Sequence, residues 1–174
     1  DSSFEGSGVL WSSILLTGLG LITHISTRES ERGTFELLKL SPISRYQLFL
    51  GRMAGSLILL WILSTIITLI YVVLFENQFG DNLLLSYLTV LIGCVGIAAV
   101  GTLAASTATP LHGGWMITSL FSIPILLFTV IEASIRATDS LILGGSDFEL
   151  AFMLLVLYNA VFVFGGAWLS ELSE

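Results

Sequence analysis

Only a few side chains of this 174-residue chain have the chemistry of a reactive or metal-binding site, and the two histidines come first. His24 and His112 fall at the predicted ends of apolar segments, where a neutral imidazole can ligate haem iron or simply lie at a membrane interface. Neither has a Cys or Met companion in its own segment, which favours the interfacial interpretation. Cys94, the single cysteine, lies in an apolar, Gly-rich run, so it forms neither an internal disulfide nor a cysteine-based zinc site.

A second group of titratable side chains lies within residues 132–147, which the sequence predicts to be a loop. Glu132, Arg136 and Asp139 have helical spacing and could bind a substrate, or form a surface ion pair that contributes little to stability. The ion pair on a solvated face is the favoured interpretation. No Asp or Glu lies in the core of a predicted span, which argues against a proton-coupled carrier.

The densest group of charged residues is the segment 27–47, which together with Arg52 holds five of the six Lys and Arg residues. The sequence predicts a short amphipathic helix here, with Thr34 as its N-cap. Pro42 disfavours helical geometry at the preceding residue, Ser41, and so ends the helix. Phe35 and Leu38 would anchor this helix on the membrane face, while its charged residues contact a soluble partner. The predicted coupling residues are Glu31, Arg32, Gly33, Thr34, Phe35, Glu36, Leu38, Ser41 and Pro42. The alternative is a connector that lies in the headgroups without any partner.

The elements that must hold this segment are membrane spans. The chain is 55% hydrophobic and 11% charged, with a mean hydropathy of +0.95, which is too apolar for an ordinary water-soluble core. A bilayer core needs roughly 20 helical residues, and lipid cannot satisfy open backbone groups. We therefore predict one all-α transmembrane domain over residues 1–174, a helix bundle with five spans: Gly8 to Ser26, Leu48 to Phe75, Leu83 to Ala108, Trp115 to Ile131 and Phe148 to Leu169.

The distribution of charge predicts the orientation of these spans. If segment 27–47 is cytoplasmic, the segments on the opposite side hold eight acidic residues against the single base Arg136, in agreement with the positive-inside rule. The N-terminus would then lie outside and Glu174 inside. Because the chain begins at Asp1, we expect a six-span parent with both ends inside. The acidic residues, which give a net charge of -7, are scattered over loops, so nucleic-acid binding has no support.

Small and polar residues within the spans predict close helix packing. Gly51 and Gly55 form a small-xxx-small pair, suited to packing within one subunit or, as the less favoured alternative, to a homodimer contact. Pro124 should kink its span, Asn159 should bond a neighbouring helix, and the tryptophans should lie near span ends except Trp61, which should pack in the bundle. A set of small residues lines the span that starts at position 83: Gly93, Gly96, Ala99, Gly101, Ala104 and Ala105.

The string ERGTFELLKLSPISRYQLFLGR, from Glu31 to Arg52, resembles the signature of membrane subunits of type-2 ABC exporters. In those proteins an acidic-basic pair, Gly-Thr, a Leu-rich turn and Ser-Pro precede a long span. Within that group the chain is most similar to the CcmB family, the membrane subunit of an ABC complex of c-type cytochrome maturation. The run Gly8-Val9-Leu10-Trp11, the turn with Gly113 and Gly114, and the absence of a large extracellular domain also match that family.

The resemblance implies a non-enzymatic permease subunit of the bacterial inner membrane. A separate ABC ATPase subunit would dock on the stretch from Arg28 to Tyr46, and its closure on ATP would be transmitted through Phe35 into two spans. ATP belongs to that partner, because this chain has no GxxxxGK[ST] loop. No cofactor is assigned to the chain itself, and haem is a possible cargo. The resemblance also implies haem-handling membrane proteins as partners, and two permease and two ATPase subunits.

Two other functions stay open at this point. The first is a type-2 exporter permease for a lipid, drug or polysaccharide, which gene neighbours would distinguish from the cytochrome system. The second is a membrane scaffold with no transport, for which Phe35→Asp would leave ATPase association unchanged. A channel is disfavoured, because the Ser and Thr residues are too dispersed to define a polar pore.

Overall fold

The computed structural model describes the backbone over residues 2–31, 44–74, 82–108, 130–143 and 148–172, and these ranges are almost entirely helical. They contain no strand, so the predicted all-α fold is confirmed for this part of the chain. The helices are α1 (Ser2–Glu31), α2 (Arg45–Leu74), α3 (Leu83–Ala108), α4 (Glu132–Leu143) and α5 (Phe148–Leu172).

Four of these helices, α1, α2, α3 and α5, are long and apolar enough to cross a membrane. They correspond to four of the predicted spans, and the chain is a multi-pass helical membrane protein. The fifth predicted span, Trp115 to Ile131, lies outside the described residues except for its last two positions, and Pro124 lies outside them as well.

Hydroxyl side chains within α1 are accommodated by bonds to their own helix. Ser13, Thr17, Thr23 and Thr27 each donate to the carbonyl oxygen four residues earlier, at 2.7 to 2.9 Å. This bond satisfies the hydroxyl inside the helix, so that a polar residue can face lipid. The long α1 therefore combines a span with several polar positions.

The segment 132–147, predicted to be a loop, instead contains helix α4. The prediction was wrong because the six polar or charged residues between positions 132 and 140 lower the local hydropathy below that of a span. Ala133, Ala137 and Leu141 nevertheless recur every four residues, and all three are buried. That spacing places them on one helical face, which packs on the bundle.

Helix α3 lies at the centre of the bundle and packs against α1, α2, α4 and α5. In its span 56% of the residues are buried, against 22% in α2, whose outer face exposes a row of Ile, Leu and Val side chains. Small residues explain the central position of α3, because they let neighbouring backbones approach. The predicted close packing at Gly93, Gly96 and Gly101 is confirmed: a Cβ there would collide with side chains of the neighbouring helices. At Gly51 and Gly55 the favoured prediction of packing within the subunit is wrong for the described part of the chain, because no described atom lies within 4 Å of an added Cβ.

Two tryptophans differ from their predicted positions. Trp11, assigned to a membrane interface, is fully buried in the core, against α3 and α4. Trp61, expected inside the bundle, is 38% exposed, although its indole donates a 3.0 Å hydrogen bond to the carbonyl of Leu91. Sequence position alone did not reveal which side of each helix faces the core. Trp168, by contrast, is exposed near the end of α5, as predicted.

Candidate functional site

The predicted coupling segment joins the end of α1 to the start of α2. Its first residues, up to Glu31, continue helix α1, and its last residues form the first turn of α2. The coupling residues Arg32, Gly33, Thr34, Phe35, Glu36, Leu38, Ser41 and Pro42 all lie outside the described residues. The structure therefore describes the two helix ends that hold the segment, and the predicted amphipathic helix stays a prediction.

Ser44 caps the N-terminus of α2. Its Oγ accepts a hydrogen bond from the backbone N–H of Gln47 at 3.4 Å, and its carbonyl accepts one from the N–H of Leu48 at 3.1 Å. This arrangement satisfies a backbone donor that the first helical turn would otherwise leave open. Sequence analysis missed this residue, although the pattern Ser44-x-x-Gln47 is a recognisable capping-box signature.

The two helix ends that hold the coupling segment are neighbours in space. Ile25 of α1 lines the same groove as Gln47 and Leu48 of α2, and the two helices pack along their length. We call this the basic end of the bundle, because Arg28 and Arg52 lie here, Arg28 exposed and Arg52 half-buried. A force applied to the segment between them would therefore act on two adjacent spans together.

The histidines do not form a ligand cluster in the part of the chain that the structure describes. His24 is exposed near the basic end of α1, and His112 lies outside the described residues. No group of three His, Cys, Asp or Glu side chains among the described residues could hold a metal ion.

A polar junction lies at the opposite end of the bundle, where α4 packs against α1. Its members are two pairs of side chains: Ser7 donates a hydrogen bond to the carboxylate of Asp139, and Trp11 Nε1 donates one to Thr138 Oγ1 at 3.0 Å. Asn82 adds a bond from its side-chain nitrogen to the carbonyl of Leu141 at 3.3 Å. Through these bonds α4 is held to α1 and to the residue that precedes α3.

The charges of α4 divide into one exposed pair and one half-buried acid. Glu132 and Arg136 form an exposed ion pair one turn apart, as predicted, and such pairs contribute little. Asp139 is instead half-buried at the polar junction, close to Tyr71 of α2. Burial raises the pKa of Asp139 above its ordinary value, and the hydrogen bond from Ser7 opposes that rise.

Asn159 forms the interhelical bond predicted for it. Its side-chain nitrogen donates a 2.7 Å hydrogen bond to the carbonyl of Ile92 in α3, close to Gly96. Ser56 of α2 and Thr102 of α3 have hydroxyl oxygens 3.5 Å apart, and Thr65 and Tyr87 make a similar contact at 2.9 Å. These contacts join helices, and they give the described spans a structural network instead of a reactive site.

Comparison with known proteins identifies the family of this chain. The chain matches the family described as CcmB protein over residues 3–167, almost its whole length. It is also 27% identical, over 121 residues, to the "Probable multidrug ABC transporter permease YbhR" of Escherichia coli K12, and equally to that of Escherichia coli O157:H7. The aligned region is 69% of this chain and 33% of the relative, so the chain spans about a third of those curated relatives. No solved structure matches the chain.

The fold and these similarities define a multi-pass helical protein of the type-2 ABC exporter membrane-subunit group. Within that group, the chain belongs to the CcmB family.

Proposed function

We propose that this chain is the membrane permease subunit of an ABC transporter complex for c-type cytochrome maturation. The observation that carries the proposal is the family match over residues 3–167. Four apolar spans and a basic segment between two of them are the features expected of such a subunit. Permease subunits of this kind are generally not enzymes, and hydrolysis of ATP belongs to a separate subunit.

In this proposal the ATPase subunit docks on the segment 27–47. Closure of the ATPase on ATP pushes the predicted amphipathic helix with Phe35 and Leu38, and the motion passes into α1 and α2. The proximity of these two helix ends supports this route, because Ile25 and Gln47 line one groove. The work done is export of haem or release of a haem-loaded chaperone, with haem-handling membrane proteins as partners. The complex lies in the bacterial inner membrane, with the basic end cytoplasmic and a second permease copy beside this one.

A second function has one observation in its favour. The relative YbhR is named as a probable multidrug ABC transporter permease, and its similarity extends over 69% of this chain. A permease for a drug, lipid or polysaccharide would use the same coupling segment with a different cargo.

Complementation separates these two functions. Cells that lack their own chain of this type would receive the full-length parent or its Phe35→Asp variant, and the c-type cytochromes would be measured by covalent haem staining of membrane proteins. The proposal expects the parent to restore c-type cytochromes and the variant to fail at equal membrane abundance. Arg136→Gln, which lowers the net charge by the same one unit on the exposed face of α4, serves as the matched control and should behave as the parent. Restored drug tolerance without restored cytochromes would select the multidrug function.

A further inference from the structure

An open groove runs along α2 at the basic end of the bundle, between α2 and the last turns of α1. Its volume is about 480 Å³, which lies within the range of small-molecule sites. Along α2 the lining extends from Gln47 to Leu59, which is about 18 Å at about 1.5 Å per helical residue. The groove is thus elongated along α2, with one end at the first turn of a membrane span.

Two glycines, which have no side chain, form the floor of the groove. Gly51 and Gly55 lie one turn apart on the lining face, and among the atoms that the structure describes none lies within 4 Å of a Cβ built on either. The walls are apolar, with Leu48 and Leu59 from α2 and Ile25 from α1. A flexible hydrocarbon chain fits such a surface, because it can lie over the glycines and contact both walls.

The end of the groove nearest the start of α2 is polar and basic. Arg52 and Gln47 are its polar lining residues there, and none of the described lining residues is acidic. The guanidinium of Arg52 has five N–H donors, so it can bind phosphate oxygens while it keeps a contact within the protein. Arg28, exposed on the last turn of α1, adds a second positive charge at the same end.

We propose that this groove binds one anionic phospholipid, with the phosphate at Arg52 and Gln47 and an acyl chain along Gly51 and Gly55. The arrangement favours a lipid because both bounding helices are membrane spans, and their basic end attracts anionic headgroups. A zwitterionic lipid such as phosphatidylcholine gains the same apolar contacts, but its choline cation offsets the attraction of its phosphate to the basic end, so it should bind more weakly. The inference depends only on the membrane location of the chain and does not rest on the transported cargo or on the ATPase partner.

The test uses the full-length protein in nanodiscs that contain phosphatidylglycerol and phosphatidylcholine, followed by native mass spectrometry of the retained lipids. Arg52→Gln should weaken the retention of phosphatidylglycerol about five-fold, the effect of one basic residue at a membrane surface. Arg28→Gln removes a charge at the same end without altering the lining of the groove, and should have a smaller effect.

A second variant tests the path of the acyl chain. Gly55→Leu should fill the groove without a clash, since its side chain enters open space, and should displace the lipid whatever its headgroup. Gly20→Leu is the matched control, because Gly20 is also exposed with none of the described atoms within 4 Å of an added Cβ.

Two results would overturn the inference. Equal retention of both lipids, unchanged by Arg52→Gln, would mean that no anionic site exists. A change of oligomeric state in Gly55→Leu, with lipid retention unaltered, would assign the glycine face to a second copy of the chain, since small-xxx-small faces also join helices. Failure of the transport proposal would change neither result, because the measurement involves lipid alone.

Discussion

The indole nitrogen of Trp11 in α1 donates a 3.0 Å hydrogen bond to the hydroxyl of Thr138 in α4, across 127 positions of sequence. Trp11 is fully buried, and its ring also contacts the position of Gly93 in α3. One side chain therefore joins three helices near the end of the bundle opposite the basic segment. Because an unpaired indole N–H is costly in a buried site, this bond fixes how α4 packs on α1.

Removal of the Thr138 hydroxyl should destabilise this junction. Thr138→Val keeps the shape of the side chain but leaves the Trp11 N–H unsatisfied, which costs about 1 to 3 kcal/mol of free energy of unfolding. The measurement is denaturant unfolding in mild detergent, followed by tryptophan fluorescence. Thr27→Val is the control, because Thr27 is exposed and, among the described residues, its hydroxyl bonds the carbonyl of Thr23 within the same helix. Equal losses in the two variants would contradict the assigned role of the Trp11 bond.

Gly93 should tolerate no side chain. A Cβ at this position would collide with the ring of Trp11 and would lie 3.0 Å from the Ser134 hydroxyl. Gly93→Ala is therefore expected to lower the free energy of unfolding by about 1 to 3 kcal/mol, the usual cost of overpacking.

The control for Gly93 is Gly20→Ala in α1. A Cβ there would meet none of the described atoms within 4 Å, and alanine favours the helix more than glycine does. Gly20→Ala should leave the unfolding midpoint unchanged or raise it slightly. Tolerance of both alanines would mean that α1 and α3 are not packed as closely as the structure has them.

Asp139 should make the stability of the protein depend on pH. Burial raises the pKa of its carboxyl above the ordinary value of 3.8, with the Ser7 hydrogen bond as the opposing influence. The folded state then holds the proton more tightly than the unfolded state, so stability falls as pH rises from the unfolded pKa through the folded one. Asp139→Asn removes this pH-dependent loss, so the melting temperature of the variant should rise relative to that of the parent as the pH increases above about 4.

The pH comparison needs a control for the loss of one carboxylate. Glu132→Gln removes an exposed carboxylate from the same helix and breaks an ion pair of small value. The difference in melting temperature between Glu132→Gln and the parent should stay small over the same pH values. A margin for Asp139→Asn that shrinks as pH rises would mean that the Ser7 bond outweighs burial.

Much of the fold could be predicted from the sequence because bilayer thickness sets a length that apolar runs must satisfy. The run from Leu83 to Ala108 was predicted with the same bounds as α3, and the interhelical bond of Asn159 followed from its depth in an apolar span. Both inferences need only the type of residue and its distance from the span ends.

The features that the sequence did not reveal depend on which helices are neighbours in the bundle. Trp11 stands near a span end, where an aromatic residue commonly meets the interface, and the positions of α3 and α4 bury it. Helix α4 itself was missed because Glu132, Arg136 and Asp139 suggested a solvated loop, although the apolar spacing of Ala133, Ala137 and Leu141 was a signal for it. Ser44, the cap of α2, could have been found from its capping-box pattern.

The most direct test of the proposed coupling role is recovery of the ATPase subunit with the full-length protein in mild detergent. We predict that the parent and the charge-matched control Arg136→Gln bring down an ATP-binding subunit in stoichiometric amount, identified by mass spectrometry. Phe35→Asp should recover no ATPase subunit, because an Asp replaces the predicted apolar anchor of the docking segment. The membrane abundance and the unfolding midpoint of this variant should stay unchanged. Recovery of no ATPase with any of the three proteins, or equal recovery with all three, would contradict the account.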